Sequence, residues 1–105
     1  MANNYKNSKV DLTSTSITTL YTCPASTTAI MKSILVSDDS GSGDTITLTI
    51  TSGSDVFSLY KVKAVGANGT VELLTAPLVV QASEILKVTA ATANRLHVVA
   101  SYLEI

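Results

Sequence analysis

The chain has 105 residues, a formal net charge of −1 and only 14% charged side chains, which together indicate one small domain. Its seven basic residues are spread thinly and form no basic stripe, so direct binding to nucleic acid is not expected. The single cysteine excludes an internal disulfide scaffold, and we expect neither a secretory leader nor a membrane-spanning segment, since no apolar run in the sequence is long enough for one.

An N-terminal arm of about residues 1–12 is the first predicted feature. Residues 1–7 are mostly polar, and we expect them to become ordered only against a neighbouring molecule. A short strand is expected at residues 9–12, and a stronger one at residues 17–21, where β-branched and aromatic side chains concentrate. Pro24 ends this second strand, because proline has no N–H group to donate to a sheet.

Residues 29–37 are expected to form a longer, central strand. Apolar side chains occur on both of its predicted faces, which is typical of a central strand or of one whose outer face is covered by a neighbour. The predicted faces are Ile30, Ile34 and Val36 on one side, and Met31 and Leu35 on the other.

Residues 44–51 carry the clearest strand pattern in the chain. Ile46, Leu48 and Ile50 alternate with threonines, so that a strand has one apolar face and one hydroxyl face. In a helix the same residues would be scattered around the axis, and each threonine would lose side-chain freedom. Residues 37–43, which precede this strand, are rich in Asp, Ser and Gly and predict a loop.

The second half of the chain predicts further short strands separated by turns. A turn at residues 51–55 leads into a strand over residues 56–62, which Phe57 and Leu59 are expected to anchor, with Tyr60 as a further candidate. The dipeptide Asn68-Gly69 predicts a tight turn. The remaining predicted strands are residues 70–74, 78–80, 84–90 and 95–105.

This spacing predicts an all-β fold for residues 1–105. About eight short strands, with turn signals every eight to twelve residues or so, are typical of a two-sheet antiparallel β-sandwich. A jelly-roll-like arrangement is preferred, and an immunoglobulin-like sandwich is the alternative.

No catalytic, cofactor-binding or metal-binding residue is predicted, and the chain is not expected to be an enzyme. Cys23 is expected to be a small buried side chain, and His97 to lie on a sheet face or at a subunit contact, without the orienting partner that triad chemistry needs. The acidic loop around Asp38, Asp39 and Asp44 offers oxygen ligands for calcium but departs from the EF-hand spacing. A solvated acidic loop is therefore the preferred interpretation.

Three runs of sequence, in a region that starts at about Leu12, carry a resemblance to a known group of proteins. They are Leu20-Tyr-Thr-Cys-Pro-Ala-Ser-Thr-Thr-Ala-Ile-Met-Lys-Ser-Ile-Leu-Val36, Val71-Glu-Leu-Leu-Thr-Ala-Pro-Leu78 and Asn94-Arg-Leu-His-Val-Val-Ala-Ser-Tyr-Leu-Glu-Ile105. These runs look like small virion structural proteins of tailed bacteriophages, especially phages of marine bacteria. The resemblance implies a place in the virion, assembled in the host cytoplasm, and it carries over no functional residues.

The expected role is that of a capsid decoration (cement) protein, which binds the outside of the major capsid protein lattice as a homo-oligomer, with a trimer as the first expectation. Neither nucleic acid nor a membrane is an expected partner. The alternatives are a tail, baseplate or fibre-associated component, or a carbohydrate-binding attachment module. Contact positions expected from their exposure are Tyr5, Lys6, Lys9, Asp38, Asp39 and Asp44.

Overall fold

The computed structural model describes residues 4–105, and the regular elements in that part of the chain are nine β-strands. No helix within residues 4–105 is long and apolar enough to span a membrane. The all-β prediction is confirmed. The strands are β1 (Asn4–Asp11), β2 (Thr18–Thr22), β3 (Ala29–Asp38), β4 (Asp44–Ser52), β5 (Asp55–Val65), β6 (Thr70–Glu72), β7 (Leu78–Val80), β8 (Ile85–Ala90) and β9 (Leu96–Glu104).

The strands form two antiparallel sheets that enclose a common core. The first sheet has the order β1-β9-β3-β6, with β7 also paired to β3, and the second has the order β2-β8-β4-β5. When β6 and β7 are counted as two parts of one interrupted strand, this is the strand order of a jelly roll. The predicted sandwich and its jelly-roll arrangement are therefore confirmed.

The core lies between the sheets and is built by the alternation that the sequence shows. On β4, Ile46 and Leu48 are completely buried, and on β8 Leu86 and Val88 are as well. Thr47 and Thr49 alternate with the buried residues of β4 and are only partly buried. Because β4 and β8 pair without a register shift, their apolar side chains stay on the inner face along the whole ladder.

The N-terminal segment is an edge strand of the first sheet. β1 pairs with β9 along its whole length, from Asn4 opposite Glu104 to Asp11 opposite His97. The expectation that this segment becomes ordered only against a neighbour is therefore wrong for residues 4–7, and residues 1–3 of the predicted arm lie outside the described residues. An edge strand is held by backbone hydrogen bonds, so its mostly polar side chains gave no apolar pattern to read.

A bulge in β3 overturns the predicted assignment of its faces. The register of β3 against β9 shifts between Met31 and Ser33. One extra residue reverses the alternation, so Met31 lies on the same inner face as the buried Ile34. Leu35 is 41% exposed on the outer face, so of the two predicted possibilities the central strand holds, with β3 between β9 and the pair β6 and β7, and a covered outer face does not hold at Leu35.

The predicted anchors of β5 are exposed. Phe57 is 55% exposed and Leu59 36%, whereas Tyr60 packs against the core. Within the described part of the chain β5 pairs only with β4 and forms the edge of the second sheet, and its register shifts twice along that ladder. The sequence pattern did not reveal that this strand lies at an edge, where no neighbouring strand covers one flank of its side chains.

Val62 has a backbone conformation that β-branched residues rarely adopt. Its φ angle is 57°, within one of the two β4–β5 register shifts, and its N–H donates to Thr47 Oγ1 at 3.1 Å. A non-glycine residue in the left-handed region costs about 1–2 kcal/mol, whereas glycine in a strand costs roughly 0.5–1 kcal/mol of chain entropy. We expect Val62→Gly to raise the free energy of unfolding by roughly 0.5–1 kcal/mol, measured by thermal and urea denaturation.

Val56→Gly is the matched control for this prediction. Val56 lies on the same strand and is 63% exposed, against 61% for Val62, and its φ is not positive. Here the same substitution relieves no strain and should lower stability by about 0.5–1 kcal/mol. Changes of the same sign in both variants would show that Val62 is not strained.

Candidate interaction surfaces

A buried carboxylate links the two sheets at one end of the sandwich. Glu104, on β9 of the first sheet, is only 7% exposed. It accepts a hydrogen bond from the Tyr21 hydroxyl of β2, with an O···O distance of 2.5 Å, and pairs with Lys6 Nζ of β1 at 2.8 Å. Lys6, an expected contact residue, is therefore already engaged within the chain.

The ionisation of these groups strengthens this link, which we call the Glu104 clip (Lys6, Tyr21 and Glu104). The hydrogen bond from Lys6, followed by that from Tyr21, lowers the pKa of Glu104 below its usual 4.5. Burial, followed by the hydrogen bond to Glu104, raises the pKa of Tyr21. At neutral pH the carboxylate is therefore a charged acceptor and the phenol a protonated donor, the combination that makes a strong hydrogen bond.

Aromatic packing supports the same end of the sandwich. The rings of Tyr21 and Tyr102 lie 4.4 Å apart between centroids and are inclined at 49°. The Tyr102 hydroxyl is 3.0 Å from Ser8 Oγ of β1. Together with the Glu104 clip, these contacts fasten β1 to the body of the domain by side chains as well as by its ladder to β9.

Asp38 organises the acidic loop from the inside. It is 4% exposed, and its carboxylate accepts hydrogen bonds from Ser40 (backbone N at 2.9 Å and Oγ at 2.6 Å), from Gly43 N at 2.7 Å and from Asn68 N at 3.2 Å. These bonds, chiefly those from Ser40, hold its pKa at about 2. The expectation of an exposed contact residue is wrong for Asp38, because its side chain turns inward to satisfy backbone N–H groups.

The other expected contact residues differ in their exposure and in the hydrogen bonds that they already make within the chain. Tyr5 is 77% exposed, and Asp39 is also exposed. Lys9 is exposed and donates to Asn7 Oδ1 at 3.0 Å. Asp44 is half-buried, and its Oδ2 accepts the N–H of Thr92 at 3.0 Å. Three of the six expected positions therefore lie on β1, and the other three lie in or beside the loop that joins β3 to β4.

An apolar row crosses the outer face of the first sheet. The register places Tyr5 opposite Leu103, Leu103 opposite Ile30, and Ile30 opposite Val79, so that one row spans β1, β9, β3 and β7. Tyr5 and Val79, at its ends, are 77% and 52% exposed. Of this outer apolar row the sequence indicated Tyr5 alone, since only the strand order makes the four residues neighbours.

A contact between a histidine and an aspartate, His97 and Asp11, lies farther along the same face. His97 Nε2 is 3.3 Å from Asp11 Oδ1, and Ser37 is opposite His97 on the other side. Asp11 and His97, together with Lys9 and Val99, border a shallow groove of about 450 Å³. The prediction that His97 lies on a sheet face is confirmed, but it does have a carboxylate partner, which a separation of 86 positions had hidden. Triad chemistry needs a serine–histidine hydrogen bond, and among residues 4–105 none joins Ser37 to His97.

A second exposed apolar surface lies at the edge of the second sheet. Val56, Phe57, Leu59 and Val62 of β5 are between 36% and 63% exposed. Next to Leu59 a cavity of about 210 Å³ opens between β5 and the β6–β7 connection. This β5 edge (residues 55–62) and the outer apolar row lie on opposite sheets, so they are two separate exposed apolar surfaces.

Cys23 belongs to the core, as predicted. It is 1% exposed, and its Sγ lies 3.3 Å from the Thr27 carbonyl oxygen and 3.5 Å from that of Val80. Within the part of the chain that is described, no group of three or more His, Cys, Asp or Glu side chains is placed to hold a metal ion.

No family model, curated protein or solved structure matches this chain at a significant level.

Proposed function

We propose that the chain is a non-enzymatic virion structural protein that decorates a capsid, binding the outside of the major capsid protein lattice as an oligomer. The observation that carries the proposal is the pair of exposed apolar surfaces, the outer apolar row and the β5 edge, on opposite sheets. Contiguous exposed apolar side chains are typical of protein–protein contacts. One such surface can face the shell while the other faces a sister copy.

Weak contacts repeated by symmetry are the mechanism. The outer apolar row is narrow, so a single copy would bind a shell weakly. Once sister copies are joined through the β5 edge, each further contact forms at a high effective concentration, and the assembly is held far more tightly than one copy. Tyr5 is the expected anchor, since an exposed tyrosine combines a large apolar ring with a polar hydroxyl.

The proposal is tested by the number of copies per particle, measured by quantitative mass spectrometry of purified virions. A decoration protein should be present in on the order of hundreds of copies, following the symmetry of the shell. About six or twelve copies would contradict decoration and favour a tail or baseplate component, whose symmetry is axial. Labelled antibody on intact virions gives the location independently.

Variants on the outer apolar row test which surface faces the shell. Tyr5→Asp and Val79→Lys place a charge at either end of this row and should reduce binding to undecorated shells by at least about tenfold. Thr49→Lys, on the outer face of the second sheet, is the matched control and should bind normally. Equal loss in all three variants would mean that the row is not the docking surface.

Carbohydrate binding is a second candidate, because two aromatic side chains are available to a ligand. Tyr5 is 77% exposed and Phe57 is 55% exposed, whereas Tyr21 and Tyr102 are buried. Exposed aromatic rings are the platforms on which sugar rings stack. Saturable binding on a glycan array that Tyr5→Ala or Phe57→Ala abolishes would favour an attachment module over decoration.

A further inference from the structure

We infer that two copies of this chain associate by antiparallel pairing of their β5 strands, centred on Phe57, so that their second sheets join into one continuous sheet. The inference deepens the proposed oligomeric role and rests on it for its biological purpose. Three independent features of β5 support it: its free backbone groups, the position of its first bulge and the distribution of its charges.

The backbone of β5 offers hydrogen-bonding groups at an open edge. Among residues 4–105, β5 has β4 as its sole partner strand, through a hairpin in which Ser52 pairs with Asp55 around Gly53 and Ser54. Gly53, with φ 62°, suits the first central position of a two-residue turn. Alternation along the ladder then directs the N–H and C=O groups of Asp55 and Phe57 toward β4, and those of Val56 and Ser58 toward the open edge.

The bulge determines where a second strand can pair. Along the β4–β5 ladder, Ser58 lies opposite Thr49 and Tyr60 lies opposite Leu48. Leu59, between them, has no partner on β4 and is therefore the extra residue of the bulge. Regular alternation therefore holds only from Asp55 to Ser58. Within that stretch, a two-fold axis at Phe57 matches Val56 of one copy with Ser58 of the other, so that all four outward-facing groups of each copy are satisfied.

Side chains and charges favour the same arrangement. Val56 and Phe57, which are 63% and 55% exposed, would be covered by the second copy, with the two Phe57 side chains facing each other. Asp55 begins the segment and Lys61 lies beyond the bulge, so antiparallel pairing brings each Asp55 near the Lys61 of the second copy. Parallel pairing would set like charges against each other.

Cysteine cross-linking tests the register directly. In a non-hydrogen-bonded antiparallel pair the Cα atoms are about 4.5 Å apart, within the range that a disulfide spans. Phe57→Cys should therefore form disulfide dimers readily under mild oxidation, while native Cys23 is 1% exposed and does not compete. Ser58→Cys is the matched control, because its Cα atoms in the two copies would lie beyond the limit of roughly 7 Å. Equal cross-linking of both variants would overturn the register.

A proline variant tests the hydrogen bonds. Ser58→Pro removes an N–H group that faces the open edge and leaves the β4–β5 ladder intact. Light scattering coupled to size-exclusion chromatography should find a dimer for the native chain and a monomer for Ser58→Pro, whose unchanged circular dichroism spectrum would show that it folds. Val79→Lys, on the other sheet, should stay dimeric. A Ser58→Pro dimer would refute the inference.

The oligomeric state of the native chain tests the inferred dimer directly. If the chain is monomeric at about 1 mM, where even a dissociation constant of about 1 mM leaves much of it dimeric, the inference fails. A trimer would also overturn it, since two-fold pairing closes at two copies. A monomer present in on the order of hundreds of copies per virion would refute this inference and leave the proposal of decoration standing. A β5-paired dimer present in only about six copies would support this inference and contradict decoration.

Discussion

Replacing Glu104 with alanine is expected to lower the free energy of unfolding by about 2–4 kcal/mol, because it removes the acceptor from a buried tyrosine and the partner of a lysine. For a domain of this size the melting temperature should fall by about 10 °C or more. The reason is the position of Glu104: at 7% exposure it joins β9 to Tyr21 of the opposite sheet and to Lys6 of β1. Urea denaturation followed by circular dichroism measures the loss.

The dependence on pH separates the loss of the Glu104 clip from a loss of packing. The folded state holds the pKa of Glu104 below its usual 4.5, so the stabilisation is present above pH 4.5 and disappears as the pH falls through the lowered pKa. The stabilities of the native chain and Glu104→Ala should therefore converge in acid. A constant difference at every pH would contradict an electrostatic origin.

Tyr21→Phe is the graded control for the Glu104 clip. It removes the hydroxyl that donates at 2.5 Å but leaves Glu104 its ion pair with Lys6 and leaves the packing against Tyr102. We expect a loss of about 1–2 kcal/mol, smaller than that of Glu104→Ala. A larger loss in Tyr21→Phe would place the main contribution in the phenol rather than in the carboxylate.

Replacing Asp38 with asparagine is expected to loosen the loop of residues 39–43 and to remove a source of acid sensitivity. In the native chain the carboxylate accepts the N–H groups of Ser40, Gly43 and Asn68, and its pKa is about 2 instead of the usual 3.8. A lowered pKa stabilises the fold above pH 3.8, and that contribution is lost as the pH falls toward about 2. The variant should lack this step in a titration of stability against pH.

Hydrogen exchange measures the local part of the Asp38 effect. The amides of Gly43 and Asn68 should exchange roughly tenfold faster or more in Asp38→Asn, since a neutral amide accepts more weakly than a carboxylate. Asp39→Asn is the matched control, because its exposed neighbouring side chain should change neither exchange nor the acid titration. Equal effects at both positions would show that general charge, and not the buried acceptor, orders the loop.

The strands that the sequence predicted best are those with regular alternation. Residues 44–51 and 84–90 correspond to β4 and β8, with Ile46, Leu48, Leu86 and Val88 completely buried. Alternation is a local property with a period of two residues, so it shows both the element and its buried face without knowledge of the partner strand.

The errors lie where a strand departs from that period or sits at an edge. One extra residue after Met31 moved Met31 to the inner face, and the position of β5 at an edge exposed Phe57. A bulge depends on the partner strand as much as on the strand itself, and edge position depends on the order of all strands in the sheet. Neither property can be read from a short window of sequence.

The expected contact residues show the same difference between what the local sequence predicted and what the folded chain decided. Tyr5 was expected at a contact and is exposed, but its neighbours Leu103 and Val79 were not foreseen. Asp38 was expected at the surface because acidic loops are usually solvated. Its side chain instead turns into the loop, where the carboxylate accepts hydrogen bonds from backbone N–H groups. Composition indicates which residues prefer water, whereas hydrogen-bond partners depend on how the chain folds back on itself.

The sequence by itself determined that this chain is an all-β sandwich, because alternating apolar side chains must be buried between two sheets wherever the strands finally lie. Only the tertiary structure decided that Glu104 bridges those sheets, that Asp11 meets His97, and that apolar residues emerge together on the outer row and the β5 edge. Those neighbours are set by strand order and register, and the antiparallel pairing that creates them joins residues far apart in the chain.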